Sequence, residues 1–329
     1  MRYSIETRIV LTWSSDGKAR LWAVGQDNPI QIFEHDRNVD GAVFSPDESQ
    51  VLIWSRDSEA QMWVVDQNEP NQTLEQNGVL GAAFSRDGSR ILTWSADGAA
   101  RLWAVRQSGA WIAHGALRVW SGRGDPIQTF EHNKSVTGAV INRDGSRILT
   151  WSRDGTARLW AVGQSEPIKS FAQKGAVSGA VINRDESRIL TWGSGVEDGT
   201  ARLWDVGRGD VIRIFQHNGE VKGAAFSRDE SRIVTWGQDG TVGSVRLWDV
   251  DQNRLIQIFE HKEAVKGAVF SHDDNRILTF GGKARLWAVG QNEPIRFGRL
   301  VTMSRARLSP TEEMERWMVR FLAAMTTGF

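Results

Sequence analysis

One phrase of 39–44 residues recurs along this chain, and that period limits the fold more than any other feature. Trp22, Trp63, Trp103, Trp160, Trp204, Trp248 and Trp287 each close a stretch such as GTARLW. Nine to twelve residues before six of them stand Trp13, Trp54, Trp94, Trp151, Trp192 and Trp236, inside stretches such as RILTWS. Before Trp287 that place is held by Phe280. Sixteen Trp against a single Tyr is the composition expected when one short pattern has been copied many times.

A full unit, residues 127–166, reads IQTFEHNKSVTGAVINRDGSRILTWSRDGTARLWAVGQSE. It holds four short runs, IQTF, VTGAVI, RILTW and ARLWAV, separated by HNKS, NRDGS and SRDGT and closed by GQSEP. Runs of four to seven residues rich in Val, Ile, Thr and Trp, bounded by Gly, Asn, Asp and Ser, are strands joined by turns. None is long enough to show helical periodicity. Four strands in a unit of this length predict one blade of a β-propeller.

The unit resembles the WD40 repeat, which places Gly-His before the innermost strand and Trp-Asp at the end of the third. The resemblance covers residues 1–299. Trp-Asp survives only at Trp204-Asp205 and Trp248-Asp249, and Gly-His has become Glu-His or Gln-His. The repeats and the tail are similar to bacterial arrays that commonly sit C-terminal to signalling effector domains. The expected fold is therefore all-β, a seven-bladed WD40-type propeller with a short C-terminal amphipathic helix.

Residues 111–126 interrupt the period. WIAHGALRVW (111–120) aligns with WSADGAARLW (94–103), keeping both Trp, Gly115 on Gly98 and Arg118 on Arg101. We read the segment as the remnant of an extra blade that lost its first half. It is expected as an extended loop or β-ribbon between the third and fourth blades. At the start, aligning Trp13 with Trp94 sets Tyr3 on Phe84, so the chain begins inside an inner strand. The N-terminal outer strand by which WD40 rings usually close is thus not expected. A truncated or decaying fragment of a longer multidomain protein, without independent function, is the alternative reading.

The tail, residues 300–329, predicts a helix at about 310–326. Ser309 and Glu312 form a capping box around Pro310, and Met314, Trp317, Met318, Phe321, Leu322 and Met325 share one face.

Composition excludes several functions. Forty Lys and Arg balance forty Asp and Glu, which argues against nucleic acid and anionic membranes as partners. With no Cys, disulfides, thiolate nucleophiles and Cys-based metal sites are absent. No secretory signal and no run of about 18 apolar residues occurs, and a cytoplasmic location is expected. No two of the six His stand at ligand spacing, no phosphate-binding glycine fingerprint appears, and no cofactor is expected. RGD occurs at 123–125 and again at 208–210, inside the repeat.

The resemblance implies a hydrogen-bonded chain in each blade from a His, a middle-strand Ser or Thr, a turn Asp and the third-strand Trp. Two blades keep all four residues: His132, Thr150, Asp154, Trp160, and His217, Thr235, Asp239, Trp248. Elsewhere members are lost. Ile53 replaces the Thr of blade two, Gln76 and Gln173 replace His, and blade seven lacks the Asp. A His–Asp–hydroxyl set also suggests acyl transfer. An active site occurs once, however, and this set recurs blade after blade, so it is read as structural and the chain as non-enzymatic.

The resemblance further implies that other proteins or peptides bind the face made by the outer-to-inner and middle-to-third loops. The matching positions are Asp40, Leu80, Thr137, Ser178, Lys222 and Lys266 at the start of the inner strands, and Arg56, Arg153, Glu197 and Gln238 before the turn Asp. They vary while their flanks repeat. The expected role is a non-catalytic scaffold or sensor module in a signalling assembly, with an acidic preference beside Lys222 and Lys266.

Overall fold

Each alternating run meets its neighbour across a hairpin, and the periodicity of two sets which side chains are buried. The computed structural model describes residues 2–3, 9–105, 111–113, 116–118, 122–194, 199–240 and 242–295. All regular structure among them is strand. It forms seven larger sheets, the blades expected from the repeat, and one two-stranded ribbon; each blade is built on an antiparallel meander of inner, middle, third and outer strands. In blade four these are Val136–Ile141, Arg147–Ser152, Thr156–Ala161 and Pro167–Ala172. Blade seven shows three strands among the described residues. After the third strand, Ile295 N–H donates to Leu286 C=O at 2.8 Å.

Contacts divide the chain into two compact units, residues 1–180 and 181–329. The boundary falls within the inner strand of blade five, Ala176–Ile182.

In both units the core lies between consecutive blades. Leu11, Leu21 and Phe33 of blade one pack with Val51, Ile53 and Trp63 of blade two. Val234, Leu247 and Phe259 of blade six do the same with Ile277 and Trp287 of blade seven. The outer-strand Phe of one blade lies against the third-strand Trp of the next, with ring centroids 5.7 Å apart for Phe33 and Trp63 and 5.2 Å for Phe259 and Trp287. Tilted aromatic pairs of this kind add about 0.5–1.5 kcal/mol to the area they bury.

The middle-strand indoles also sit between blades. Trp13, Trp54, Trp94, Trp192 and Trp236 are half-buried and pack against these clusters. The Gly that repeats on the inner strands is the register partner of this ring: Gly41 faces Trp54, Gly81 faces Trp94, Gly223 faces Trp236, and Gly267 faces Phe280. A Cβ on any of these glycines would overlap the ring. The glycine is there because an aromatic covers it.

The segment after blade three departs from expectation in position. Trp111–Ala113 and Ala116–Arg118 do form a two-stranded ribbon, and Gly122–Arg123 runs parallel to Gln72–Thr73 on blade two. Yet the insertion lies inside blade three, because Gln128–Glu131 after it is the outer strand paired with Ala99–Leu102. The ribbon's register also differs. Trp111 pairs with Arg118, whereas its counterpart Trp94 pairs with Ala100. The two-stranded ribbon has no inner strand to fix the original register. The expected tail helix at about 310–326 lies outside the described residues.

Candidate functional site

In blade four the polar chain is continuous. The Trp160 indole N–H donates to Thr150 Oγ1 at 2.8 Å, and that hydroxyl lies 2.7 Å from His132 Nε2. The other ring nitrogen, Nδ1, lies 3.2 Å from Asp154 Oδ2. Thr150 has no exposed surface and His132 is buried. Burial pushes the His132 pKa down to about 4, against the pull of Asp154, so at neutral pH the ring is uncharged. The contact is then a hydrogen bond from neutral Nδ1–H to a carboxylate, and Nε2 accepts from the Thr hydroxyl. Asp154 stays below its ordinary value although burial opposes ionisation, because Thr156 Oγ1 and Asn133 N–H donate to it.

Blade six keeps the same four residue types but not the same chain. The Trp248 indole donates to Thr235 Oγ1 at 2.9 Å, and His217 Nε2 lies 2.8 Å from that oxygen. His217 Nδ1, however, is 3.7 Å from Asp239 and 3.2 Å from Ser244 Oγ. Between Asp239 and Trp248 the chain is three residues longer than between Asp154 and Trp160. The hairpin therefore runs on until Asp239 pairs with Val242, and Ser244 arrives beside the ring. Asp239 binds Arg246 instead, at 2.6 Å.

Other blades show substitutions that sequence matching alone undervalues. Gln76 takes over from His in blade three: Thr93 Oγ1 donates to its carbonyl and its amide donates to Ala99 C=O at 2.9 Å. In blade two, Ile53 offers no acceptor and the Trp63 indole N–H is buried without a partner. The Thr-to-indole bond is the durable part of the network, present in the other six blades, for example Trp22 to Thr12 and Trp204 to Thr191.

Four of the variable positions that open the inner strands share one backbone device. Register shifts occur between Val136 and Gly138, Val221 and Gly223, and Val265 and Gly267, so Thr137, Lys222 and Lys266 each occupy a β-bulge. In blade three Leu80 is left over in the same way, because Ser95 pairs with Val79 and Trp94 with Gly81. A bulge turns one side chain out of the alternation that would otherwise bury or pair it. Period-two reading of the sequence does not reveal this; the unbroken Val-x-Gly-Ala phrase is its only trace.

These positions differ in how far they are already engaged. Asp40 accepts the Arg56 N–H at 2.7 Å, with the Arg56 guanidinium 3.9 Å from the same carboxylate. Thr137 Oγ1 donates to Val177 C=O at 2.9 Å. Arg153 is exposed, with its N–H on Ser135 C=O. Gln238 is half-buried and tied by its N–H to Glu220 C=O. Ser178 is exposed, and Glu197 lies outside the described residues. Lys222 and Lys266 are exposed at equivalent places on consecutive blades, and neither ammonium has a carboxylate partner among the described residues.

Comparison with known proteins places this arrangement. The family model described as "WD domain, G-beta repeat" matches residues 68–104 and 124–161. A crystal structure of the computationally designed protein Ika8 is similar in fold, with a TM-score of 0.67 and 18% sequence identity over 89% of this chain and 84% of that one. No curated protein matches the sequence.

Proposed function

We propose that this chain, whose repeats match the WD40 family model at residues 68–104 and 124–161, is a non-catalytic protein-binding scaffold or sensor module of a larger signalling assembly. WD40 propellers generally serve as interaction scaffolds. The observation that carries the reading is the bulge at the start of the inner strands. A backbone irregularity repeated in four blades sets one side chain apart in each, and its identity changes from Leu80 to Thr137 to Lys222 while the flanking residues stay the same. Variation confined to presented positions is what a recognition surface requires.

The hydroxyl sets support the non-catalytic half of the reading. Thr150 has no exposed surface and sits between an indole and an imidazole, where no substrate reaches it. The partner is another protein or a peptide, met in the cytoplasm on the loop face, with acidic residues opposite Lys222 and Lys266. Neither nucleic acid nor a membrane is the target.

The test is affinity capture with cross-linking, comparing the full chain with a Lys222→Glu/Lys266→Glu variant. A partner that cross-links to these loops and is lost on charge reversal is the expected result. Capture unchanged by reversal, or cross-links elsewhere only, would overturn the reading.

A further inference from the structure

Four blades fasten the hairpin between middle and third strands with one ion pair. The Arg two residues before the third-strand Trp binds the turn Asp: Arg20 to Asp16 and Arg101 to Asp97 at 2.5 Å, Arg246 to Asp239 at 2.6 Å, and Arg158 to Asp154 at 3.4 Å. In blades four and six a backbone N–H joins the guanidinium on that carboxylate, from Asn133 at 3.0 Å and from Asn218 at 2.8 Å.

Blade seven keeps the donors and has lost the acceptor. Where blade four reads Arg-Asp-Gly-Thr (153–156), blade seven has only Gly282 and Lys283, so its hairpin is two residues shorter and carries no Asp. Arg285 remains, half-buried, and has no carboxylate partner among the described residues. The Lys262 N–H, at the place of the Asn133 N–H, has no acceptor among them either. The loops that meet here, 260–266 and 281–285, carry four cationic side chains against two carboxylates. One of those two, Glu263, is exposed against Gly282 and pairs with no cation among the described residues.

The loss is felt at His261. Arg285 Nη1 donates to His261 Nδ1 at 2.6 Å. A guanidinium only donates, so Nδ1 accepts and the proton of this neutral ring sits on Nε2. That nitrogen is buried without a partner, whereas in blades four and six it accepts from the Thr hydroxyl. The Thr279 hydroxyl donates instead to Arg285 C=O at 3.3 Å. One missing carboxylate thus accounts for a buried N–H left unpaired and a guanidinium turned onto a neutral ring.

We propose that blade seven binds a carboxylate supplied from outside the chain, held where the other blades hold their turn Asp. It pairs with the Arg285 fork and accepts from the Lys262 N–H. His261 then takes the tautomer of His132: Nδ1–H donates to the carboxylate and Nε2 accepts from Thr279. The occupant is a small carboxylic acid or the Asp or Glu side chain of a partner protein, and in the second case the site belongs to the loop face proposed above.

The test reads the His261 ring nitrogens of the full chain by heteronuclear NMR, assigned with His261→Gln. Acetate and the capped tripeptide N-acetyl-Gly-Asp-Gly-amide are titrated separately, against chloride at matched ionic strength. A saturable move of the proton from Nε2 to Nδ1 is expected with both carboxylates and not with chloride. Tighter binding of acetate marks a small-molecule occupant, and tighter binding of the peptide a protein-borne one. Arg285→Gln should weaken binding at least tenfold. Replacing residues 282–283 with the Arg-Asp-Gly-Thr of blade four should give the Nδ1–H tautomer with nothing added and abolish the response. Lys222→Glu/Lys266→Glu keeps these donors and should still respond, so loss of partner capture in that variant stays distinct from this result. The proposal is overturned if neither carboxylate moves the proton, if chloride does so equally, or if Arg285→Gln responds as the parent does. It is overturned too if the parent already shows Nδ1–H and loses it in Glu263→Gln, which would make Glu263 the occupant.

Discussion

The Trp151 indole lies across Gly138, its register partner on the neighbouring inner strand, so closely that a Cβ at residue 138 would overlap the ring. The pairing spans one hairpin and repeats in other blades. It joins the two most regular features of the sequence, the Gly-Ala of the inner strand and the first Trp of the unit, into a single packing element.

Gly138→Ala should therefore destabilise the protein by about 1–3 kcal/mol, the range for overpacking a closed site. In a Trp151→Ala background the same substitution should cost almost nothing, because the obstructing ring is gone. Denaturant unfolding of the four members of this cycle measures the coupling. Additive effects would show that the ring moves aside freely.

Glu230 carries a left-handed backbone, φ 60°, where two equivalent turns have Gly88 and Gly145. A side chain at such a position costs about 1 kcal/mol. Its carboxylate offsets that cost through two hydrogen bonds to the preceding blade. Glu230→Ala keeps the strain and loses the bonds, whereas Glu230→Gly loses both. The expected order of unfolding midpoints is wild type, then Gly, then Ala. A Gly variant above wild type would mean the bonds are worth less than the strain.

His132, His217 and His261 are each held at a pKa of about 4, in every case chiefly by burial. Arg246 adds to the depression at His217 and Arg285 at His261. In the unfolded chain a His titrates near about 6.5. Between these values the unfolded state binds more protons, so stability is fully present above about pH 6.5 and falls as pH drops towards 4. Each His contributes a slope of about 1.4 kcal/mol per pH unit within the window. Replacing His132 with Gln, the residue blade three uses at Gln76, should flatten the profile by one proton. Urea midpoints from pH 7.5 to 4 read it directly, and an unchanged slope would place the His132 proton elsewhere.

Ile53 leaves the Trp63 indole N–H buried without an acceptor. Thr and Val have nearly the same shape, so Ile53→Thr and Ile53→Val lose similar packing. Placed as the Thr hydroxyls are in the other blades, the new hydroxyl would accept the indole N–H, a bond worth about 1 kcal/mol. Ile53→Thr should melt at or above Ile53→Val. The reverse would show that the hydroxyl finds no partner at this position.

Much of this was legible because the repeat is its own control. Seven copies expose which residues are invariant in type, and alternation assigns strands and buried faces to each copy. The Thr-to-indole bond follows from residue types on paired strands, and it survives hairpins that set Thr and Trp eight, ten or thirteen residues apart. The turn Asp is less robust: Asp239 is present, but three extra residues carry it away from His217. The segment after Trp103 reads in the sequence as lying between blades three and four, whereas the structure sets it inside blade three, because strand pairing is a relation between distant segments.

The sequence by itself determined the all-β class, the number of blades and the identity of the residues that repeat, since each depends on local periodicity copied seven times. Only the tertiary structure decided what those residues meet. It set Trp151 over Gly138, turned Lys222 and Lys266 out on bulges, and carried the Glu230 carboxylate to the turn of another blade. Those outcomes depend on packing between strands and between sheets, where a shift of one residue or a change in one hairpin length alters every contact without altering the pattern.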